Sequence, residues 1–84
     1  MMLEFDLELA KLAIKAGTGR IVTGGGLDVR ITNWGEDRLT ETYPLLGYVI
    51  QQGEGEFDEE SWTFEGKYFE EEPDEWDLFI EELI

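Results

Sequence analysis

The chain has 84 residues, with 21 Asp and Glu against 6 Lys and Arg, and its formal net charge at neutral pH is −15. It contains no Cys and no His. This excludes a disulfide framework and a thiolate zinc site, and it removes the commonest metal ligand and the usual general base. The length fits one small domain over residues 1–84, and we expect no cofactor and no metal.

The negative charge is concentrated in the second half of the chain. Residues 1–50 carry seven acids and five bases, a net charge of −2, whereas residues 51–84 carry fourteen acids and one base, Lys67, a net charge of −13. The same second half holds seven of the eleven aromatic residues. Because disordered acidic tails are poor in aromatic residues, residues 51–84 are predicted to display their charge on folded structure.

The sequence also bears on location and on partners. Its apolar runs, such as residues 12–14, 48–50 and 78–80, are three residues long, whereas about 20 are needed to span a bilayer. Acidic residues stand near the N-terminus, where a signal peptide carries positive charge. We therefore expect a cytoplasmic protein, and its charge disfavours direct binding to nucleic acid or to an anionic membrane.

A helix is predicted over residues 6–16. Asp6 is a suitable N-cap residue and Phe5 precedes it as a hydrophobic staple. Apolar residues follow near helical spacing, Lys11 and Lys15 lie in the later turns, and Gly17 is placed to end the helix.

A β-hairpin is predicted next, with strands at residues 20–23 and 27–34 that show apolar and polar alternation. The three glycines at residues 24–26 lie between them. A phosphate-binding loop is disfavoured here, because no Lys-Ser or Lys-Thr pair follows and the glycine spacing does not match. The glycines are interpreted as the hairpin turn, as is usual where positive φ angles are required.

Further strands are predicted in the second half of the chain. Residues 45–50 read as a central strand that is broken by the Gly-Glu-Gly sequence at residues 53–55. Residues 61–64 and 67–69 are predicted to form a second hairpin around a Glu-Gly turn.

The last segment fits two structures. Trp76, Phe79, Ile80 and Leu83 have the spacing of an amphipathic helix, but residues 77–80 fit a short closing strand equally well. We favour the strand. The predicted fold class is α+β, with the N-terminal helix packed on a bent antiparallel sheet of about five strands, for which a small SH3-like barrel is one form. The predicted core consists of Leu9, Ala13, Ile21, Val29, Ile31, Leu46, Val49, Trp62, Phe64 and Phe79.

The candidate binding residues form one dense acidic cluster with a tryptophan inside it: Glu70, Glu71, Glu72, Asp74, Glu75, Trp76 and Asp77. The cluster lacks the alternating spacing of a calcium loop. Catalysis is disfavoured because Ser61, the single serine, has no His to activate it. A solvated acidic surface is the plainest interpretation, and Trp76 is the best candidate for a recognition residue, since aromatic residues are enriched at binding surfaces.

Two functional hypotheses follow from this cluster. In the first, a non-enzymatic protein binds a basic patch on a protein partner, with opposite charges that speed the encounter. In the second, the acids imitate the phosphate charges of DNA and inhibit a nucleic-acid-binding protein. A free edge strand would also invite pairing between copies, so a homodimer is a further expectation.

Short motifs along nearly the whole chain resemble a family of small uncharacterised proteins of bacteriophages and bacterial mobile elements. The motifs are Phe-Asp-Leu-Glu at residues 5–8, Tyr-Pro-Leu at residues 43–45, Trp-Thr-Phe-Glu-Gly-Lys-Tyr at residues 62–68 and Asp-Leu at residues 77–78. The chain has two or three more residues between Ala10 and Gly17 than the family pattern, and Gly-Gly-Gly replaces the usual Asp-Gly turn. The resemblance implies a phage or mobile-element origin, a bacterial host cell and a final strand at residues 77–80. It brings no activity and no catalytic residues.

Overall fold

The computed structural model describes residues 2–50 and 59–83. Its elements in chain order are β1 (Met2–Glu4), α1 (Leu7–Ala16), β2 (Gly19–Thr23), β3 (Asp28–Asn33), β4 (Leu45–Ile50), β5 (Glu59–Trp62) and β6 (Leu78–Glu82). The break predicted at residues 53–55 lies outside the described residues.

Helix α1 forms where the sequence predicts it. The side chain of Asp6 caps its N-terminus, with an oxygen that accepts a hydrogen bond from the backbone N–H of Leu9 at 2.9 Å. Gly17 ends the helix in the left-handed conformation, with φ of 73°. The helix turns Ala10 toward the sheet, where this residue is 1% exposed. Since Ala10 and Ala13 are small, the helix approaches closely, and a β-carbon on Gly19 would lie 3.1 Å from that of Ala13.

The six strands form one antiparallel sheet in the order β1-β6-β2-β3-β4-β5. The α+β class is confirmed, and β4 lies between two neighbours as predicted. Among the described residues, β1 and β5 are the two edges of an open sheet, so it does not close into the SH3-like barrel. A register shift between Ile31 and Asn33 marks an irregularity in the β3–β4 pairing.

Two further differences from the sequence-based expectation concern strand assignment. Strand β1 was not predicted; it pairs with β6, which confirms the final strand and excludes the helical alternative for Leu78–Glu82. The predicted strand at residues 67–69 is wrong. The backbone N–H of Tyr68 donates to Asp77 Oδ1 at 2.9 Å, so it is not available for strand pairing, and the chain leaves the sheet where β5 ends at Trp62.

The core lies on the face of the sheet that carries α1. The buried cluster contains Ala10, Ile21, Val29, Leu45, Val49, Trp62, Leu78 and Ile80. Four predicted core residues, Ile21, Val29, Val49 and Trp62, are in this cluster. The prediction for Leu9 is wrong: this residue is 43% exposed, because the helix is rotated so that its neighbour Ala10 faces the sheet. The predictions for Leu46 and Phe79 are also wrong, because both occupy the partly exposed positions that alternate with the buried residues of β4 and β6.

Candidate functional site

The segment between β5 and β6, residues 63–77, carries all seven candidate binding residues. It begins with a tight turn in which Thr63 N–H donates to the carbonyl of Lys67 at 3.0 Å and Lys67 N–H donates to Thr63 Oγ1 at 3.0 Å. Gly66 lies in this turn with φ of 81°, and a β-carbon there would lie 2.7 Å from the ring of Phe5. The turn therefore requires glycine both for its backbone conformation and for close packing.

Asp77 holds the two ends of this segment together. Its side chain is buried among polar groups. Oδ1 accepts a hydrogen bond from Tyr68 N–H at 2.9 Å, and Oδ2 accepts one from Asp74 N–H at 3.2 Å. The ammonium group of Lys67 lies 3.7 Å from the same Oδ2. Asp74 Oδ1 in turn accepts from Trp76 N–H at 2.9 Å. The structure therefore places Asp74 and Asp77 in roles that shape the loop.

A group of aromatic rings connects the loop to the core. Trp62 is fully buried, and its indole N–H donates to the carbonyl of Trp76 at 2.8 Å. The ring of Tyr68 lies between these two residues, with centroids 6.4 Å from Trp62 and 5.9 Å from Trp76. Phe69 then packs edge-to-face on Tyr68 at 5.0 Å. Trp76 is partly buried in this group, whereas Phe69, at the outer end, is 45% exposed.

The carboxylates of Glu70, Glu71 and Glu72 are on the surface beside Phe69. Together with Tyr43 they line a depression of about 450 Å³. Glu70 is positioned by its backbone, whose N–H donates to the hydroxyl of Tyr43 at 3.2 Å. This contact connects the loop before β4 with the loop after β5, and it brings a second aromatic ring next to the acids.

A second depression, of about 250 Å³, shares Tyr43 and Phe69 with the first and is completed by Glu60, Ser61 and Tyr68. The hydroxyl of Tyr68 donates to Glu60 Oε2 at 2.8 Å. This bond to a carboxylate raises the pKa of the Tyr68 phenol above its ordinary value of 10.0, and burial and the negative charges of Glu60 and Asp74 raise it further.

We call this region, formed by Tyr43, Glu60, Tyr68, Phe69, Glu70, Glu71 and Glu72, the acidic–aromatic surface. Of the predicted residues, Glu70, Glu71 and Glu72 lie in it. Glu75 is exposed but lines neither depression. Sequence reasoning missed Glu60 and Phe69. Tyr43 and Tyr68 are among the large rings from which Trp76 was chosen as the best candidate, and the position of Phe69 directly before the acidic run is the one local signal that could have indicated Phe69.

Chemically, this surface offers carboxylates beside the partly exposed rings of Tyr43 and Phe69, an arrangement that suits Lys or Arg side chains. Within residues 2–50 and 59–83, no group of three acidic side chains is close enough to hold a metal ion. No helix in the same part of the chain is long and apolar enough to cross a membrane.

Three comparisons with known proteins were made. Protein-family models, curated proteins and solved structures all gave no match to this chain.

Proposed function

We propose that this protein acts without catalysis, by binding the basic surface of a protein partner through its acidic–aromatic surface. The observation that carries the proposal is the meeting of three exposed carboxylates, Glu70, Glu71 and Glu72, with the rings of Tyr43 and Phe69 in one depression. We place it in the cytoplasm of a bacterial host cell, as an accessory protein of a phage or mobile element. This setting rests on the resemblance of its motifs alone.

The charge of the molecule supports a basic partner. The described ion pairs do not involve the carboxylates of this surface. They join Lys11 to Glu36 at 3.2 Å, Arg20 to Glu81 at 2.7 Å and, within the loop, Lys67 to Asp77 at 3.7 Å. With a net charge of −15, the molecule attracts a cationic partner over a distance of about 8 Å at physiological salt, which favours fast association. Acids and partner bases would then pair at close range.

The aromatic rings of this surface provide cation–π contacts, which a solvated acidic patch without rings cannot provide. Phe69 keeps 45% of its surface exposed although it packs on Tyr68, with the two ring planes 75° apart. A Lys or Arg placed over such a ring gains about 0.5–1 kcal/mol from the cation–π interaction at an exposed site. Because Phe69 packs on Tyr68, which itself packs on Trp62, little side-chain entropy is lost when a partner packs on the Phe69 ring.

The expected effect of removing the three charges follows from the exposure of these side chains. Each exposed ion pair contributes about 0–1 kcal/mol, so three pairs contribute up to about 3 kcal/mol. A triple Glu70→Gln, Glu71→Gln, Glu72→Gln variant should therefore weaken binding by up to roughly 150-fold. A matched variant, Glu8→Gln, Glu36→Gln, Asp37→Asn, makes the same change in net charge at exposed positions outside the surface and should retain binding within about 3-fold.

Affinity capture from a bacterial lysate with the wild type and both variants tests the proposal. We expect a basic protein that the wild type and the matched variant retain and the triple variant loses. Capture of the same proteins by all three chains would contradict a role for this surface.

The same capture distinguishes a simple protein partner from the DNA-mimic alternative. If excess duplex DNA displaces the captured partner, the basic surface of that partner is a nucleic-acid-binding site and the acidic chain acts as a DNA mimic. If the complex persists in excess DNA, the mimic alternative is excluded and the protein binds as an adaptor.

A further inference from the structure

The free edge of β1 ends an apolar row that crosses five strands. Register pairs join Val49 to Val29, Val29 to Ile21, Ile21 to Ile80 and Ile80 to Leu3. All five side chains lie on the face that carries α1, because directly paired residues share a face of the sheet. The row stops at Leu3, and on its far side β1 has no neighbouring strand among the described residues.

An apolar groove accompanies this edge. It has a volume of about 210 Å³ and lies between α1 and the strands, with Leu3, Leu9, Ala13 and Ile80 among the residues that line it. Leu9 is 43% exposed, and Leu12, farther along the same helix, is 63% exposed. The helix is therefore too narrow to cover the sheet as far as β1, and apolar side chains remain in contact with water beside a strand that is paired on one side, with β6.

The charge around this edge favours a copy of the same chain over the basic partner proposed above. Strand β1 carries one acid, Glu4, and one more, Glu82, lines the groove. Glu81 of β6 is paired with Arg20, so this edge holds only a small part of the net charge of −15. The other sheet edge, β5, presents Glu59 and Glu60, which repel an equally acidic molecule. Two copies can thus approach each other at β1 with the least repulsion.

We propose that β1 pairs with β1 of a second copy, in the antiparallel direction and about a twofold axis at Leu3. Leu3 then faces Leu3 of the other copy, and the apolar row continues without a break into the second sheet. Each Glu4 faces a Met2, so no two carboxylates are directly opposed in the new pairing. The twofold arrangement also brings the two grooves together, as an isologous interface requires. This proposal is independent of the acidic–aromatic surface.

Sedimentation velocity at micromolar to millimolar concentrations tests the dimer. We expect a species of twice the 9.7 kDa monomer mass, more of it as salt screens the net charge. Leu9→Glu should abolish it. Leu39→Glu is the matched control, because Leu39 is 72% exposed and lies outside this edge, and it should leave the dimer intact. A wild type that stays monomeric throughout, or a dimer that survives Leu9→Glu, would overturn the proposal.

Cross-linking tests the register and does not depend on the stability of the Leu9→Glu chain. The protein has no cysteine, and Met2 and Glu4 are both exposed, so one cysteine can be introduced at either position. A mixture of Met2→Cys and Glu4→Cys chains should form the mixed disulfide at least several-fold faster than either chain forms a disulfide with itself, because only the mixed pair is directly opposed. Equal rates, or faster Met2→Cys self-linking, would contradict the proposed pairing.

Discussion

Asp77 is the residue on which the position of the acidic–aromatic surface most depends, and Asp77→Asn perturbs it with almost no change in volume. In the wild type, each carboxylate oxygen accepts one backbone N–H, from Tyr68 and from Asp74. An amide retains one oxygen and directs its NH₂ group at the other backbone donor. One hydrogen bond is lost, so a partly buried backbone N–H loses its acceptor. The remaining hydrogen bond no longer has a charged acceptor.

The magnitude follows from those two bonds. A hydrogen bond to a charged group contributes about 1.5–3 kcal/mol, and a neutral one about 0.5–1.5 kcal/mol. Loss of one charged bond and weakening of the other give a destabilisation of about 2–4 kcal/mol. The side chain of Asp77 is 9% exposed, so solvent screening reduces this little. The ion pair with Lys67 adds less than about 1 kcal/mol, because Lys67 is 46% exposed and 3.7 Å away.

Urea unfolding followed by tryptophan fluorescence measures this free energy. Asp37→Asn is the matched control, an exposed aspartate whose change should stay within about 0.5 kcal/mol. Lys67→Met should shift stability by less than about 1 kcal/mol and separates the ion pair from the hydrogen bonds. If Asp77→Asn is as stable as Asp37→Asn, Asp77 does not hold the loop and the reasoning about its two bonds is refuted.

Three further outcomes are expected. Gly66→Ala should lose about 2–4 kcal/mol of unfolding free energy through its positive φ and its contact with Phe5. Gly25→Ala should change little, because its β-carbon would make an ordinary contact of 3.8 Å with Thr23 Oγ1; equal urea midpoints for the two variants would contradict this. In an alkaline absorbance titration, one tyrosine should ionise above pH 10.0 and be missing in Tyr68→Phe. Since the folded pKa of Tyr68 is raised, the stability that this residue contributes should be complete below pH 10.0 and be lost as the pH rises through the folded pKa. A urea midpoint that declines with pH equally in the wild type and in Tyr68→Phe would contradict this. Added salt should raise the melting temperature by screening a net charge of −15, and a melting temperature flat from low to moderate salt would show that the acids are already compensated.

The elements that were predictable from sequence are those with local signals. Helix α1 carries its own start at Asp6 and its own stop at Gly17, and the structure uses both. Alternation of apolar and polar residues and a glycine turn predict β2 and β3. The apolar run Leu45–Ile50 predicts a central strand, and β4 does lie between two neighbouring strands. In each case the determining contacts lie within a few residues of one another in the chain.

The parts that were missed depend on distant contacts. Strand β1 has three residues and exists through its pairing with β6, more than 70 residues later, so no local pattern could indicate it. Residues 67–69 resemble a strand, but Asp77 binds the N–H of Tyr68, and that competition is not visible in the local sequence. The rotation of α1 that exposes Leu9 likewise depends on the close approach of Ala13 to Gly19.

The negative charge of the candidate site was predictable from the sequence, but the aromatic residues that accompany it were not. The acidic run at residues 70–72 is exposed, as its density predicts. The aromatic residue at the surface is Phe69 and not the predicted Trp76. The carbonyl of Trp76 accepts the indole N–H of Trp62 and the Trp76 ring packs on Tyr68, so Trp76 is partly buried and Phe69 remains at the surface. Tyr43 reaches the acids through a bond to Glu70 across 27 residues, and nothing in the local sequence marks that partnership.

The most direct test of the central claim is an NMR titration of the amide signals with a short arginine-rich peptide, with a glutamine version of the same peptide as control. We expect saturable shifts of the amide signals that are largest at Tyr43, Glu60 and residues 68–72. These shifts should be absent with the glutamine peptide and reduced in the triple glutamine variant. Shifts spread evenly over all exposed acids, including Glu8 and Glu36, or no saturable shifts at all, would contradict this claim.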